Sequence, residues 1–452
     1  MGFLTTLKAR LASGEWVAGQ CLPSIRRMSV DAGVSRYTVV SAYGALVSEG
    51  VLEVQQGKGF FVSSLMSRAG CSEVIQSAQM TDPLYKLLQA PPNALKLGCG
   101  WLPLSWRDTE ALAKAVRKTA RSGRGALVEY GDIQGYFPLR KQLSVHLRRS
   151  AQLDVSPTQI LTSLGATQAL DLVLRLLVKP GDVVLVDEPC NGNLVKLIRV
   201  HGAVPVGVPR GRDGPDIAVL DRVLSAHRVK VFVCNSTYHN PTGSGLTSKV
   251  AFEVLRRALV HDFFILEDDV YGDFFPGVRQ TFAGLDGLDR VIYVGSFSKT
   301  LSASLRIGYI VSSISLMEPL IRLKMLTSVA VPGFCERFVS SILVDGTYHR
   351  HAHDIQRQLM MQQRRAQKAL KRQGWWFDIE PDGGMFLWVH HPDMDDLSHF
   401  IERLEELGVL LMPGTAFSVS QNFGDRTRIN VAHWADRLER FFDAATSRGA
   451  GY

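Results

Sequence analysis

Apolar positions near the start of the chain recur at helical spacing. Phe3, Leu4, Leu7 and Leu11 fall on one face of a helix that would end at Gly14. The pattern therefore predicts an amphipathic first helix that Gly14 closes. Because such a face needs other elements to cover it, we expect the segment to belong to a compact unit.

Two more helices and a hairpin are predicted after this first helix. Proline and glycine bracket a second helix over residues 24–32. A third helix begins near Ser35, a favourable N-cap, and is expected to bury Val39, Tyr43, Leu46 and Val47. Next, the stretch "GVLEVQQGKGFFV" favours two short strands around a turn. Two helices joined by a tight glycine-containing turn and followed by a hairpin are typical of a winged helix-turn-helix.

The pattern weakens over residues 64–92. This stretch is rich in small and polar residues, as in "SRAGCSEVIQSAQM" and "APPN", and it shows little periodicity. We interpret it as a linker with room for one helical stretch. The predicted domains are therefore 1–63, the linker 64–92 and a larger domain over 93–450.

Residues 93–450 alternate helical patterns with short, continuous apolar runs. Examples of these runs are "DVVLVDEP", "VKVFVCN" and "RVIYVGS". Continuous apolar strands are covered on both faces, which predicts an α/β domain with a mostly parallel sheet. Ligands of such sheets bind at the carboxyl ends of the strands, and the polar motifs follow the strands here.

Composition limits the class of protein without deciding its function. A length of 452 residues exceeds what one hydrophobic core usually holds, in agreement with several domains. The formal charge of +8 is compatible with nucleic acid or phosphate partners but is modest for this length. No apolar run is long enough for a membrane span and no signal peptide pattern is present, so we expect a cytoplasmic protein without a membrane partner.

The cysteines show no spacing typical of a metal site. Cys21, Cys71, Cys99, Cys190, Cys234 and Cys335 form no C-x-x-C pair and have no histidine at ligand spacing. We interpret them as buried free thiols and predict no metal site.

The predicted helix-turn-helix carries candidate DNA-binding residues. Ser35, Arg36 and Thr38 fall in the first turn of the third helix, which would enter the major groove. Lys58 and Gly59 fall at the tip of the predicted wing, where a cation and a bare backbone can approach phosphate or the minor groove. Helix spacing alone would also fit a helical bundle with solvated arginines.

The detailed string favours the DNA-binding interpretation. "LPSIRRMSVDAGVSRYTVVSAYGALVSEGVLEVQQGKGFFV" resembles the DNA-binding domain of GntR-type bacterial regulators, with Leu-Pro-Ser-x-Arg, then Ser-Arg-x-Thr-Val, then a Gly-x-Gly wing. The resemblance implies that Arg26, Arg36, Thr38 and Gly59 contact double-stranded promoter DNA.

A lysine motif and a strand-to-helix turn suggest a phosphate site in the larger domain. Lys299 lies just past a strand predicted to end at Val294, and Ser296, Ser298 and Arg306 surround it in sequence. Hydroxyls and a guanidinium can hold phosphate, as can helix N-terminal amides such as those of residues 165–167. Taken singly, a solvated loop lysine and an ordinary turn are the alternatives.

Two further motifs follow predicted strands. In "EDDVYGDF", the Asp268 carboxylate at a strand end requires a partner, which a protonated pyridine nitrogen would provide. Tyr271, three residues later, could reach a ring hydroxyl. The motif "HNPTG", which contains Asn240, would by itself be an ordinary turn.

In their order, these motifs resemble fold-type I pyridoxal-phosphate enzymes of the aminotransferase class, which have a large and a small domain. The resemblance implies pyridoxal 5'-phosphate as cofactor and a dimer. It assigns the aldimine to Lys299, the pyridine nitrogen to Asp268 and the ring oxygen to Asn240 and Tyr271. The phosphate is assigned to Ser296, Ser298, Arg306 and the amides of Gly165, Ala166 and Thr167, and the phosphate in the partner's site to Tyr130. The α-carboxylate of the substrate is assigned to Arg428, with Asn240 beside it.

The chain departs from this family pattern at two places. Asn191 stands where the family usually has an aromatic residue stacked on the pyridine ring, and Ala303 stands where a proline is usual. Aromatic stacking contributes about 0.5 to 1.5 kcal/mol, so the cofactor is expected either to be held less firmly or to have its electronics less tuned. Neither change removes a covalent or charged contact.

The whole arrangement resembles the MocR subfamily of GntR-type regulators. The resemblance implies a head-to-tail homodimer that binds promoter DNA and senses pyridoxal phosphate, an amino compound, or both, through an aldimine at Lys299. Two alternatives stay open. One is a catalytically active aminotransferase with an accessory DNA-binding domain, and the other is a regulator whose larger domain only dimerises.

Overall fold

The computed structural model describes residues 3–12, 15–17, 19–55, 58–63, 82–122 and 124–446. The chain divides into two compact units, Met1–Lys86 and Leu87–Tyr452, which we describe one at a time. The predicted helix end at Gly14 and the linker residues 64–81 lie outside the described residues. The rest of the predicted linker contains a helix, Pro83–Gln89.

The described residues of the first unit form helices and a hairpin. These elements are α1 (Phe3–Ala12), α2 (Ile25–Asp31), α3 (Arg36–Ser48), β1 (Leu52–Gln55) and β2 (Gly59–Val62). Ser24 Oγ accepts a hydrogen bond from Arg27 N at 3.4 Å, and Ser35 Oγ accepts one from Thr38 N at 3.1 Å. These caps satisfy amides that have no partner within α2 and α3. Strands β1 and β2 pair antiparallel, so the predicted winged helix-turn-helix is confirmed.

The core of this unit is formed largely by the predicted residues. Its fully buried side chains include Leu7, Val39, Tyr43 and Leu46. Val47 is only partly buried, in contrast to the prediction. The Tyr43 hydroxyl donates a 2.9 Å hydrogen bond to the carbonyl oxygen of Pro23, so the buried phenol keeps a partner.

The prediction of buried thiols holds for part of the set. The buried free cysteines are Cys99, Cys190 and Cys234. Cys335 is partly buried, and Cys71 lies outside the described residues. The prediction is wrong for Cys21, which is exposed and forms an isolated antiparallel bridge with Phe61 of the hairpin.

The second unit contains most of the helices and strands. Its described helices are α4 (Pro83–Gln89), which crosses the boundary of the units, α5 (Thr109–Ser122), α6 (Phe137–Ala151), α7 (Gly165–Leu177), α8 (Gly192–Val200), α9 (Ile217–Ala226), α10 (Ser248–Val260), α11 (Phe282–Asp286), α12 (Ile314–Ser328), α13 (Gly333–Val344), α14 (Thr347–Arg372), α15 (Ser398–Glu406) and α16 (Arg437–Thr446). Its described strands are β3 (Ile160–Leu164), β4 (Val183–Glu188), β5 (Val204–Pro209), β6 (Val229–Cys234), β7 (Phe264–Asp268), β8 (Val291–Ser296), β9 (Ile307–Val311), β10 (Trp376–Phe377), β11 (Phe386–His390), β12 (Met412–Pro413) and β13 (Arg426–Asn430).

A large, mostly parallel sheet organises this unit, as predicted. Its strand order is β3-β9-β8-β7-β6-β4-β5. Strand β9 runs antiparallel to both of its neighbours, and the remaining pairs are parallel. Apolar clusters cover the strands on both sides, which explains their continuous apolar sequences. The α/β fold class is thus confirmed.

A second, smaller sheet has its own core. Its strand order is β10-β11-β13-β12, with antiparallel pairs. Side chains of α14, α15 and α16 pack in the same apolar cluster as β11 and β13. This is the expected separation into large and small domains.

The carboxyl ends of the parallel strands bring the polar motifs together. Strand β7 ends at Asp268, and β8 ends at Ser296, two residues beyond the predicted end at Val294. This edge of the sheet is where open α/β proteins bind ligands. No helix among the described residues is long and apolar enough to cross a membrane.

Candidate functional site

Lys299 lies three residues after the end of β8, in a partly buried position. Its Nζ donates a 2.8 Å hydrogen bond to the carbonyl oxygen of Gly100 and lies 5.7 Å from the centre of the Tyr271 ring. Burial and the nearby Arg428 guanidinium lower the pKa of Lys299 to about 8. A lysine amine that loses its proton near neutral pH is suited to attack a carbonyl carbon.

Asp268 is the last residue of β7. Its Oδ1 is buried and has no hydrogen-bond partner among the described residues. Burial raises the pKa of Asp268 to about 6. A carboxylate oxygen in this environment is stabilised by a positively charged hydrogen-bond donor.

Arg428 lies on β13 of the small sheet and is joined to Asn240. Its Nη1 donates a 2.7 Å hydrogen bond to Asn240 Oδ1, and its Nη2 donates one of 2.6 Å to the carbonyl oxygen of Gly98. The guanidinium carbon lies 4.5 Å and 4.6 Å from the ring centres of Phe386 and Phe417, which hold the guanidinium between them. Burial lowers the pKa of Arg428 to about 10, although the group stays charged at neutral pH.

Asn240 and Tyr271 are also close to each other. Asn240 Nδ2 donates a 3.5 Å hydrogen bond to the Tyr271 hydroxyl. The Tyr271 ring packs edge-on against Phe386 at a centroid distance of 5.2 Å. Burial raises the pKa of Tyr271, so its hydroxyl stays protonated and can donate a hydrogen bond. The predicted ring-oxygen ligands therefore lie side by side.

The backbone of Gly100 marks the point at which these side chains converge. A Cβ added at Gly100 would lie 3.5 Å from Lys299 Nζ, 3.8 Å from Arg428 Nη2 and 4.0 Å from the Tyr271 hydroxyl. An amine, a guanidinium and a phenol therefore face one small volume. The arrangement can bind a carboxylate beside a group that reacts with the lysine.

The predicted phosphate residues lie around the first turn of α7. This helix starts at Gly165, whose φ of +77° favours glycine, and it has no side-chain cap. Arg306 Nη2 donates a 3.0 Å hydrogen bond to the carbonyl oxygen of Leu164, which places the guanidinium beside the first turn. Ala166 and Thr167 line the same cleft as Lys299. Uncapped amides and a guanidinium at one place form an anion site.

The two predicted serines differ in their hydrogen bonds. Ser296 Oγ donates to the carbonyl oxygen of Ile307 at 3.1 Å and accepts from Ser298 N at 3.1 Å. Ser298 Oγ is buried and has no partner among the described residues. Ser296 therefore shapes the loop, whereas the hydroxyl of Ser298 stays available for a ligand.

These residues fit the charged groups of pyridoxal phosphate and of a carboxylate bound beside it. Asp268 Oδ1, Ser298 Oγ and Arg428 Nε are three buried polar atoms without a hydrogen-bond partner among the described residues. They match, in turn, a protonated ring nitrogen, a phosphate oxygen and a carboxylate oxygen. Buried polar atoms are rarely left without partners, so three in one site point to a ligand with these groups.

Two predicted residues stand apart from this arrangement. Tyr130 is 88% exposed. Asn191 is the N-cap of α8, and its side chain accepts a 3.2 Å hydrogen bond from Asn193 N. The side chain that replaces the usual aromatic residue thus has a capping role.

The cleft also contains residues that the motifs did not reveal. It has a volume of about 830 Å³, and Lys96, Trp101, Arg107 and His433 line it together with Lys299. In the sequence, the pair of glycines in "LGCG" could have indicated this part of the cleft. A Cβ at Gly98 would lie 2.3 Å from Met412 N, so only glycine allows this close approach of the backbone.

The predicted DNA-binding residues lie on the surface of the first unit. Arg26, Ser35, Arg36 and Lys58 are exposed, and Thr38 and Gly59 are partly buried. The hydroxyls of Ser35 and Thr38 lie 2.8 Å apart at the start of α3, where the hydroxyl of Ser35 also caps the helix. Tyr37, which the motif analysis did not single out, is 82% exposed between them. The first turn of α3 thus presents a cation, an aromatic ring and hydroxyls to a partner.

Comparison with known families gives two matches. The family described as "Aminotransferase class I and II" matches residues 92–444. The family described as "Bacterial regulatory proteins, gntR family" matches residues 5–62.

Individual relatives share either the whole arrangement or the larger domain. The chain is 28% identical over 455 residues to the HTH-type transcriptional regulator YdfD of Bacillus subtilis (strain 168), covering 94% of this chain and 91% of that protein. It is 31% identical over 317 residues to the probable rhizopine catabolism regulatory protein MocR of Rhizobium meliloti, covering 68% and 63%. LysN, the alpha-aminoadipate aminotransferase of Thermus thermophilus solved with N-(5'-phosphopyridoxyl)-L-leucine, has a similar fold, with a TM-score of 0.73 at 24% identity over 83% of this chain and 99% of that one.

Proposed function

Because the chain belongs to the aminotransferase class I and II family and carries a gntR-type segment at residues 5–62, we propose that it is a DNA-binding regulator that senses an amino compound. Its relatives include HTH-type transcriptional regulators that align with nearly the whole chain, which supports a regulatory role. In this proposal the larger domain binds pyridoxal phosphate covalently at Lys299. The state of that domain then sets how the winged helix binds promoter DNA.

The convergence of Lys299, Arg428 and Tyr271 on Gly100 carries the proposal. All three groups lie within 4.0 Å of one point. Pyridoxal phosphate supplies an aldehyde that joins an amine and a ring that delocalises charge. Lys299 would supply the amine, and Arg428 with Asn240 would orient a carboxylate.

The remaining residues would hold the cofactor. Asp268 would pair with the ring nitrogen, and Tyr271 would donate to the ring oxygen. Ser298, Arg306 and the first-turn amides of α7 would bind the phosphate, with Ser296 shaping the loop. These roles are supported by the buried atoms Asp268 Oδ1 and Ser298 Oγ, which have no partners among the described residues.

We further propose that two copies form a head-to-tail homodimer in which Tyr130 reaches the phosphate in the partner's site. Tyr130 and Val128 are 88% and 85% exposed. A Cβ at Gly131 would lie 2.3 Å from the carbonyl oxygen of Val331, so the segment that carries Tyr130 packs on the segment after α12. Leu326, in the last turn of α12, is 77% exposed. An exposed apolar surface of this kind is typical of a subunit interface.

The decisive experiment combines an absorbance titration with a DNA-binding assay. Purified holo-protein is expected to show a visible absorbance band that Lys299→Ala abolishes. Adding amino compounds should shift this band and change the affinity for operator DNA together. DNA binding that responds neither to cofactor nor to any amino compound would contradict the proposal. Absence of the band would instead favour a larger domain that only dimerises.

An active aminotransferase is the second candidate function. The observation in its favour is that the Lys299 amine, whose pKa is lowered to about 8, and the Arg428 guanidinium both lie within 4.0 Å of one point beside Gly100. Efficient transfer of an amino group from an amino acid to a keto acid, without a change in DNA affinity, would support this candidate. Binding without turnover would support the regulator.

A further inference from the structure

The cleft around Lys299 is lined by positive charge. Lys96, Arg107, Lys299 and Arg306 line it together with serine and threonine hydroxyls. Within the part of the chain that the structure describes, no aspartate or glutamate lines it. A cleft lined by charges of one sign concentrates ligands of the opposite sign.

The proposed function gives only two of these four cations a partner. Lys299 joins the cofactor, and Arg306 lies beside the first turn of α7, where the phosphate would bind. The α-carboxylate of an amino acid would go to Arg428, outside the lining of the cleft. Lys96 and Arg107 have no anion assigned to them.

Arg107 has a guanidinium whose hydrogen bond goes to a backbone carbonyl rather than to a carboxylate. Its Nη1 donates to the carbonyl oxygen of Leu301, and it forms no ion pair with any described residue. Burial lowers the pKa of Arg107, which means that its surroundings do not stabilise the charge fully. A partly buried cation in this setting gains from an anionic ligand.

Lys96 lies near the segment that contacts the reactive lysine. It is partly buried, and its Nζ has no hydrogen bond or ion pair with a described residue. Burial lowers the pKa of His433, and the charge of Lys96 lowers it further, so Lys96 is close to that ring. His433 Nε2 lies 3.1 Å from the carbonyl oxygen of Trp101, the residue after Gly100. Lys96 is thus near the convergence point, in the lining of the same cleft as Lys299.

From this charge distribution we propose that the amino compound is an amino acid whose side chain ends in a second anionic group. Lys96 and Arg107 bind that group, while Arg428 binds the α-carboxylate and Lys299 receives the amino group. The second group can be a carboxylate or a phosphonate, because both accept hydrogen bonds from cations. The inference rests on the proposed function, since it assumes that amino acids bind at Lys299.

Matched pairs of amino acids test this inference on the full-length holo-protein. The visible absorbance band is followed while L-glutamate, L-2-aminoadipate or L-2-amino-4-phosphonobutyrate is added, with neutral L-glutamine and L-norvaline as references. The anionic compounds are expected to bind about ten- to a hundredfold more tightly than the neutral ones, as for a charge-assisted hydrogen bond. Comparing carboxylate with phosphonate then identifies the preferred anion.

Variants of the two cations separate ligand binding from structure. Lys96→Met and Arg107→Gln should each weaken binding of the preferred anionic compound about tenfold or more and leave L-norvaline binding unchanged. Lys114→Met, which replaces an exposed lysine of α5 outside this cleft, is the matched control and should change neither. The absorbance band and the melting temperature verify that each variant stays folded and loaded.

The outcomes distinguish this inference from the proposed function. If neutral amino acids bind as tightly as anionic ones, or if the variants weaken both classes equally, the second anion site is wrong while sensing at Lys299 stands. If no amino acid of either class shifts an existing band but another amine does, only this inference fails. If no amino compound of any kind shifts the band, both proposals fail.

Discussion

Lys299 Nζ donates a 2.8 Å hydrogen bond to the carbonyl oxygen of Gly100, a residue 199 positions earlier in the chain. The bond fixes the amine beside a backbone segment that has no side chain at its closest point. A Cβ at Gly100 would meet Lys299 Nζ at 3.5 Å and Arg428 Nη2 at 3.8 Å, which are ordinary contact distances. Alanine therefore fits at this position without strain but occupies the volume that an amino acid would need.

Gly100→Ala is expected to leave the fold and cofactor loading intact and to weaken the response to amino acids by about tenfold or more. The reason is steric, since the methyl group lies between the amine and the guanidinium. Absorbance titration of the holo-variant measures the effect. Gly245→Ala is the control, because a Cβ there has no heavy atom within 4 Å. An unchanged response in Gly100→Ala would show that ligands bind elsewhere.

The lowered pKa of Lys299 predicts how cofactor loading depends on pH. Only the deprotonated amine attacks an aldehyde, and burial together with Arg428 brings the pKa of this group from 10.5 to about 8. The rate constant for loading of cofactor-free protein is therefore expected to rise as pH increases from 6.5 and to level off above about 8. Stopped-flow absorbance measures this rate. A rate that keeps rising to pH 9.5 would indicate an ordinary lysine.

Asp268→Asn is expected to weaken cofactor binding and to stabilise the cofactor-free protein. Burial raises the pKa of Asp268 from 3.8 to about 6, so the folded state keeps a proton that the unfolded state releases between these values. The ionised carboxylate thus destabilises the cofactor-free protein above pH 6. Removing the charge should raise its free energy of unfolding at pH 7.5 by on the order of 1 to 3 kcal/mol. Denaturant unfolding measures this change.

The same substitution should weaken binding of pyridoxal phosphate, because a neutral amide cannot pair with a protonated ring nitrogen as a carboxylate does. Equilibrium dialysis gives the affinity. Asp395→Asn, at an exposed position, is the matched control and should change neither quantity. A destabilised Asp268→Asn variant would mean that the native carboxylate is neutralised by its surroundings.

The sequence was sufficient to locate β7 and β8, although β8 ends two residues beyond the predicted end. Continuous apolar runs located β7 and β8, and a carboxylate or lysine directly after such a run must lie at the ligand-binding edge. Asp268 and Lys299 followed from this local rule. The fold class followed as well, because apolar periodicity depends on neighbours in sequence.

Other parts of the site depend on contacts that no local pattern encodes. Gly98 and Arg428 are joined by a 2.6 Å hydrogen bond across 330 positions. Lys96 and Arg107 lack a motif, since their role comes from the cleft they line rather than from spacing. The place of Asn191 in its motif suggested a contact with the pyridine ring, whereas its side chain caps α8.

The first turn of α3 supports a prediction for DNA binding. Arg36 is exposed next to the cap formed by Ser35 and Thr38, where a guanidinium can contact guanine. Arg36→Ala is expected to weaken binding to a duplex selected by the wild-type protein by about five- to a hundredfold and to relax its sequence preference.

The cofactor band should stay unchanged in this variant, because the substitution lies in the first unit. Lys8→Ala is the control, since Lys8 forms an exposed ion pair with Glu49 at 2.7 Å that is worth little. Fluorescence anisotropy over a range of salt concentrations separates a lost base contact from a lost phosphate contact. Only the loss of a phosphate contact lowers the number of counterions released on binding, by about one. Equal affinity and sequence preference in Arg36→Ala and wild type would place the recognition surface elsewhere on the first unit.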